Sequence, residues 1–350
     1  MSLIVVFLRG GADGLALVPP VGEDAYHRLR PLTGLAAGLG TPLSDVHALH
    51  PDLAPLAPWW HAGQLSIVPA AGTPDATHSH FSAQDFLEHG GNNVAGGWLG
   101  RWLQSGTPEP LSAIAVGHAV PESLRGAPGA VALTDIRELL QPGGDDLAAR
   151  VAELAVGDPL LSQASANVLS VRARLRRMAA TEAIPAGYPA GYPATDFARD
   201  LARVAALVRA DVGMRVACLD LPGWDSHIAA ESFLPERRTT LAAGLAAFAT
   251  DLGPLLATTS VVVVTEFGRR CAENASLGTD HGRAGCAFVL GGGTPGGMVG
   301  DWPGLDHLDE PGDLPVTTDL RDVFTAVAAR HGGCDPAQVF PGYQGHRLAI

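Results

Sequence analysis

Four consecutive valines, Val261 to Val264, follow Ser260 and run directly into Thr265-Glu266. An unbroken β-branched run without polar alternation reads as a strand buried on both faces. Such a strand belongs in a parallel sheet covered by helices on both sides. The 260–265 strand has company, because short apolar runs recur at 3–8, 65–69, 113–116, 130–133, 214–219 and 286–290. Helical spacing fills the intervals at 82–89, 146–180, 196–211, 235–257 and 319–331, with Thr318 or Asp319 as the cap of the last. Alternating strands and helices predict a three-layer α/β/α fold with a mostly parallel central sheet. The 182–194 stretch, which holds AGYP twice, is expected as a surface loop within one domain spanning 1–350.

In open parallel sheets, ligands bind beyond the carboxyl ends of the strands. The residues just past each apolar run are therefore the informative ones. The first strand leads into Arg9-Gly-Gly-Ala-Asp13, and the second into Thr77-His78-Ser79-His80. The run at 214–219 leads to Trp224-Asp225-Ser226-His227, and the valine strand to Glu266-Phe267-Gly268-Arg269. Thr279-Asp280-His281 comes back just before the next strand. Carboxylates and imidazoles converging on one sheet edge suit a borderline divalent metal, Zn²⁺ or a carboxylate-tolerant Mn²⁺. Asp225 and His227 can share a face because alternate residues of extended chain point the same way. The ordinary alternatives are turn residues for Asp13 and Asp225, a helix-capping Glu266, and simple N-caps for Thr77 and Ser79. A hydroxyl at a helix start beside a metal is also a nucleophile beside a natural anion seat, and Thr77 and Ser79 both qualify.

Composition removes several other functions. The chain has 23 basic against 36 acidic residues, a net charge of −13, and shows no basic footprint for nucleic acid or a membrane surface. It contains no lysine, so Schiff-base and Lys-nucleophile mechanisms are excluded. Cys218, Cys271, Cys286 and Cys334 form no CxxC pair and are expected as free thiols. Neither a signal peptide nor a bilayer-spanning run is read from the sequence, which gives a cytoplasmic expectation. Gly291-Gly292-Gly293-Thr294-Pro295-Gly296 fits GxGxxG in form, but no helix pattern comes after it, so a dinucleotide site is not expected.

The strings FLRGGADGL, HPDLAPL, HSHFSAQDF with GWLGRWL, LPGWDSH, and TEFGRR…GTDHGRAG occur in this order. Together they closely resemble the domain-of-unknown-function 1501 family, itself similar to the alkaline phosphatase and sulfatase superfamily. The resemblance spans essentially the whole chain. It implies an alkaline-phosphatase-like α/β/α domain with metal ions at the strand ends. Asp13 resembles the first-strand ligand, Thr77 or Ser79 the helix-start nucleophile, Asp225 and His227 an Asp…His ligand pair, and His281 the late His ligand. Glu266 stands where the superfamily carries the Asp of an Asp-His pair. Phe267 replaces the His of that pair, and Asp280 is the candidate substitute ligand. No CxPxR-type motif is present, which speaks against a formylglycine sulfatase.

The expected function is a metal-dependent hydrolase of small anionic phosphate or sulfate esters. Asp13, Asp225, His227, Glu266, Asp280 and His281 would hold one or two ions, and Thr77 or Ser79 would attack. Arg269 is placed with the catalytic groups and Arg9 with the substrate contacts, either guanidinium being a planar clamp for the anion. His78 and His80 complete the substrate contacts. The alternative is a catalytically degenerate relative that binds an anion or a partner protein. The apolar composition is compatible with a homodimer.

Overall fold

The computed structural model describes residues 1–106, 111–135, 146, 149–150, 153–154, 157–180 and 190–350. Most of the expected surface loop at 182–194, and parts of the 146–180 helical stretch, lie outside these residues; the described part of that stretch includes helix α4 (Pro159–Ala180). The strands of the main sheet are β1 (Ser2–Arg9), β2 (Leu65–Gly72), β3 (Ala113–Val116), β4 (Val131–Leu133), β5 (Val216–Pro222), β6 (Thr259–Val264), β7 (Gly285–Gly291), β8 (Gly297–Met298) and β9 (Thr318–Asp319). They form one sheet in the order β8-β2-β7-β6-β1-β5-β3-β4, with β9 also paired to β2. β7 is antiparallel to both of its neighbours, and every other pairing in this sheet is parallel among the described residues.

Side-chain alternation along β1 divides the core into two layers. Ile4, Val6 and Leu8 pack with Phe197, Leu201, Leu241 and Phe248, which come from helices α5 (Asp196–Arg209) and α6 (Leu234–Leu252). Leu3, Val5 and Phe7 pack on the opposite side with Trp98 and Trp102 of α3 (Trp98–Gln104) and with Val323 and Phe324 of α7 (Leu320–Arg330). The valines of β6 alternate in the same way, Val261 and Val263 to one layer and Val262 and Val264 to the other. All four are at most 2 % exposed, which is why no polar residue interrupts the run. The sheet therefore lies between two helical layers, as the strand pattern predicts.

Two helices differ from expectation in instructive ways. The segment 235–257 does not form one helix. α6 stops at Leu252, Gly253 takes a positive φ of 52°, and Gly253–Thr258 continues as a tighter 3₁₀ turn. Gly253 followed by Pro254 terminates an α-helix by supplying the left-handed residue and then removing a donor. Leu234–Thr258, 25 residues long, also contains an 18-residue window with the mean hydropathy, 1.4, of a membrane span, and half of that window is buried. The helix packs against α5 and the turn Pro51–Leu56. At α7 the structure resolves the cap: Asp319 accepts from the Arg321 N–H.

Because β7 runs against its neighbours, its amino end lies at the same edge as the carboxyl ends of β1, β2, β5 and β6. Two further helices begin at this edge, α1 (Gly14–Leu17) after β1 and α2 (His80–His89) after β2. The edge thus gathers every chemistry-bearing loop singled out in the sequence.

Candidate functional site

Three imidazoles and one carboxylate meet there. Asp225, beyond β5, places Oδ1 3.1 Å from Nε2 of His227 and 3.3 Å from Nε2 of His281, and Oδ2 3.6 Å from Nε2 of His80. The Nε2 atoms of His227 and His281 are 2.9 Å apart. Ligand atoms of His80, Asp225 and His281 all fall within 4.8 Å of one another.

Behind each imidazole stands a hydrogen-bond acceptor. His80 Nδ1 lies 2.8 Å from Oε1 of Glu266, a fully buried carboxylate. His227 Nδ1 lies 3.3 Å from Oδ1 of Asp280. His281 Nδ1 lies 2.7 Å from the carbonyl oxygen of His78. Carboxylates and carbonyls only accept, so each Nδ1 carries the proton and, in the neutral ring, each Nε2 is a bare lone pair. This is the arrangement in which a histidine is held to ligate through Nε2, with its orientation fixed from behind.

Arg269 holds the carboxylate. It is buried, and it donates to Asp225 Oδ1 at 2.6 Å, to the carbonyl of Gly11 at 2.7 Å and to that of Thr279 at 2.9 Å. Burial pushes the Asp225 carboxyl up, but the hydrogen bond and charge of Arg269 outweigh it and hold the group below its ordinary value. Burial likewise opposes ionisation of Glu266. Hydrogen bonds from the backbone, Gln84 and His80 overcome that and keep it low. Donation from Asn274 is the main cause of a lowered Asp280, whereas burial lowers His281 and favours its neutral form.

Loops come this close because glycines let them. After β6, the chain forms an antiparallel bridge between Arg269 and His281, which returns Asp280-His281 to the end of the valine strand. At Gly278, a Cβ would sit 2.3 Å from the His227 carbonyl carbon, so only glycine allows the 274–280 loop to lie on the His227 backbone. At Gly11, with φ of 64°, a Cβ would meet the Phe267 ring at 2.3 Å. Phe267 uses that space to pack against His80 and His281, its ring centre 4.8 and 4.6 Å from theirs. The residue standing in place of an expected His is thus an apolar wall for two imidazoles.

The other expected site residues are placed elsewhere. Asp13 caps α1 and is paired with buried Arg30 at 2.6 and 3.1 Å; Arg30 also donates to the carbonyls of Cys271 and Arg270. Thr279 is a further neighbour of the Asp13 carboxylate at 3.4 Å. Glu266 and Asp280 back histidines and do not face the cluster. Arg9 spends its donors on Asp220, Gln84 and Glu88. Thr77 donates to Asp75 at 2.7 Å, and the His78 ring points to Asp313. Ser79 occupies the N-cap position of α2 without a capping bond, between His78 and His80. Sequence reasoning missed Gln84, Asn274 and Arg30. Gln84 lies four residues after His80 on α2, where helical spacing puts both on one face; Asn274 and Arg30 carry no local signal.

A family model described as Protein of unknown function (DUF1501) matches residues 51–350. The chain belongs to this family. The matched span includes His80, Asp225, His227 and His281, together with Glu266 and Asp280, and leaves β1, Asp13 and Arg30 before it. No curated protein matches the chain. The four-residue cluster of this family member is therefore interpreted from its own chemistry.

Proposed function

We propose that His80, Asp225, His227 and His281 hold one divalent transition-metal ion and that the chain is a metal-dependent hydrolase of phosphate or sulfate esters, related in fold to the alkaline phosphatase superfamily. One observation carries the reading. Two Nε2 lone pairs face each other at 2.9 Å, with both Nδ1 atoms committed to acceptors and a carboxylate alongside. Lone pairs so placed repel unless a proton or a metal cation lies between them, and a set of three nitrogens and one oxygen suits Zn²⁺ or Mn²⁺. Bound there, such an ion supplies Lewis acidity that neutralises charge on the transferring group and lowers the pKa of an attacking oxygen.

The chain's own residues do the rest. Arg269 fixes the carboxylate, while Glu266, Asp280 and the His78 carbonyl fix the rings. Ser79 is the nucleophile in this reading, since Thr77 is engaged by Asp75 and Ser79 sits between two residues that touch the cluster. The first-turn N–H groups of α2 point beyond the helix end and seat the substrate anion. A single ion is expected because the Asp13 carboxylate is already neutralised by Arg30.

That same neutralisation favours the second reading, a protein that binds an anion or a partner without turnover. Metal analysis of the purified protein, with a panel of aryl phosphates and aryl sulfates after Zn²⁺ or Mn²⁺ loading, tests both. About one equivalent of metal, with hydrolysis abolished by Ser79→Ala, is the expected result. Metal bound without turnover leaves the binding protein, and a chain that takes up no metal overturns the proposal.

A further inference from the structure

The imidazole of His281 depends on a carbonyl belonging to an unusual residue. His78 holds φ of 54°, the left-handed region, which a non-glycine residue keeps only where its surroundings impose it. Its ring shows what does so. His78 Nε2 donates to Oδ2 of Asp313 at 2.6 Å, and Asp313 has no exposed surface. Asp313 is itself held by two backbone hydrogen bonds with Asp309, each 2.9 Å. The same short loop is tied to the segment that leads from His281 into β7: Arg283 donates to Asp309 Oδ2 at 2.8 Å, and the Ala284 N–H to the Leu314 carbonyl. Both partners of the His281–His78 hydrogen bond are thus braced by residues 309–314, which contribute no group to the cluster.

We infer that Asp313 and His78 form a positioning pair for His281. Asp313 anchors the His78 ring, the anchored ring fixes the left-handed backbone, and the fixed carbonyl keeps His281 as the Nδ1–H tautomer with its Nε2 lone pair presented to the cluster. The inference rests on reading the cluster as a metal centre, but the tautomer it assigns is a property of the metal-free protein as well.

The test compares the full-length wild-type chain with Asp313→Ala, Asp313→Asn and His78→Gly. Glycine tolerates the left-handed backbone without strain but carries no ring to fix it, so it releases the carbonyl without adding a clash. Two quantities are measured: the His281 ring ¹⁵N shifts of the metal-free protein, and Zn²⁺ affinity by competition with a chelator. Asp313→Ala and His78→Gly are expected to convert His281 from one tautomer to a mixture and to weaken Zn²⁺ binding roughly 10- to 100-fold, the range for loss of a group supporting a ligand. Asp313→Asn retains an acceptor for the His78 ring and is expected to restore most of both. Unchanged His281 shifts in folded Asp313→Ala or His78→Gly overturn the pair. A wild type that binds no Zn²⁺ sinks the metal reading alone, and the ¹⁵N shifts still decide the positioning role.

Discussion

Two carboxylates at the same sheet edge, Asp13 beyond β1 and Asp225 beyond β5, have opposite fates. Both come after strands in glycine-containing turns, and both lie close to Arg269 or its loop. Asp13 is 3 % exposed and its charge is closed off by the Arg30 fork. The Asp225 side chain is 49 % exposed, and although Arg269 takes one lone pair, three imidazole nitrogens still surround it. The difference lies in how charge is balanced. Around Asp13 the protein supplies the cation itself; around Asp225 it gathers imidazole nitrogens, the donor set that the proposed metal ion would use.

The most direct way to break this comparison is to remove the exposed carboxylate or one ring. Asp225→Ala and His281→Ala are expected to abolish metal uptake, read by elemental analysis after dialysis. Asp13→Asn is expected to leave the metal content unchanged. A lower metal content in Asp13→Asn would return Asp13 to the ligand set.

Next in size is the loss of the internal cation. Arg30→Met leaves a buried carboxylate uncompensated, which costs about 3–5 kcal/mol when one partner of a buried pair is removed. Urea unfolding of the metal-free chain measures it. A cost below about 1 kcal/mol, in the range of exposed pairs, would mean that water reaches Asp13 and that the closed pocket is not closed.

Much of this contrast was hidden in the sequence for physical reasons. The sheet was legible because Val261–Val264 and its counterparts are buried on both faces and leave an apolar signature. Asp225-Ser226-His227 and Asp280-His281 stood out because they are short-range patterns after or before such strands. The pairing of Asp13 with Arg30 depends on the packing of a short helix against the 270–271 loop, and no periodicity encodes it. Glu266 reads as a ligand by position, and only the fold shows that its Oε1 is engaged by the Gly10 N–H and His80 at 2.9 and 2.8 Å. His80 reads as a substrate contact, and only the fold shows that its ring joins the cluster. The stop in α6 was written in Gly253-Pro254, a signal weaker than the helical periodicity that continues past it.

The closed side of the edge makes a third expectation. His47 lines the pocket with Asp13 and Arg269, is 4 % exposed, and has Nε2 buried without a protein partner. Burial lowers its pKa from 6.5 to about 4. Between those values the unfolded chain binds a proton that the folded chain refuses. Stability from this group is therefore complete above pH 6.5 and is lost as pH falls toward 4, by at most on the order of 3 kcal/mol. Urea unfolding at pH 7, 5 and 4 should show a shallower acid loss in His47→Phe than in the wild type. Equal slopes would place His47 in contact with solvent.

The smallest effect sharpens the comparison within the histidine cluster itself. Glu266 and Asp280 both stand behind a ring, but the Glu266 side chain is fully buried and that of Asp280 is 45 % exposed. A buried charge–imidazole hydrogen bond acts in a low dielectric, whereas an exposed one competes with water and salt. Glu266→Gln is therefore expected to weaken Zn²⁺ binding toward the upper part of the roughly 10- to 100-fold range for supporting groups, and Asp280→Asn toward or below the lower. Raising the salt concentration should shrink the Asp280→Asn effect and leave that of Glu266→Gln in place. If the two substitutions weaken binding equally and respond equally to salt, burial is not what ranks the supports, and ring geometry alone sets the affinity.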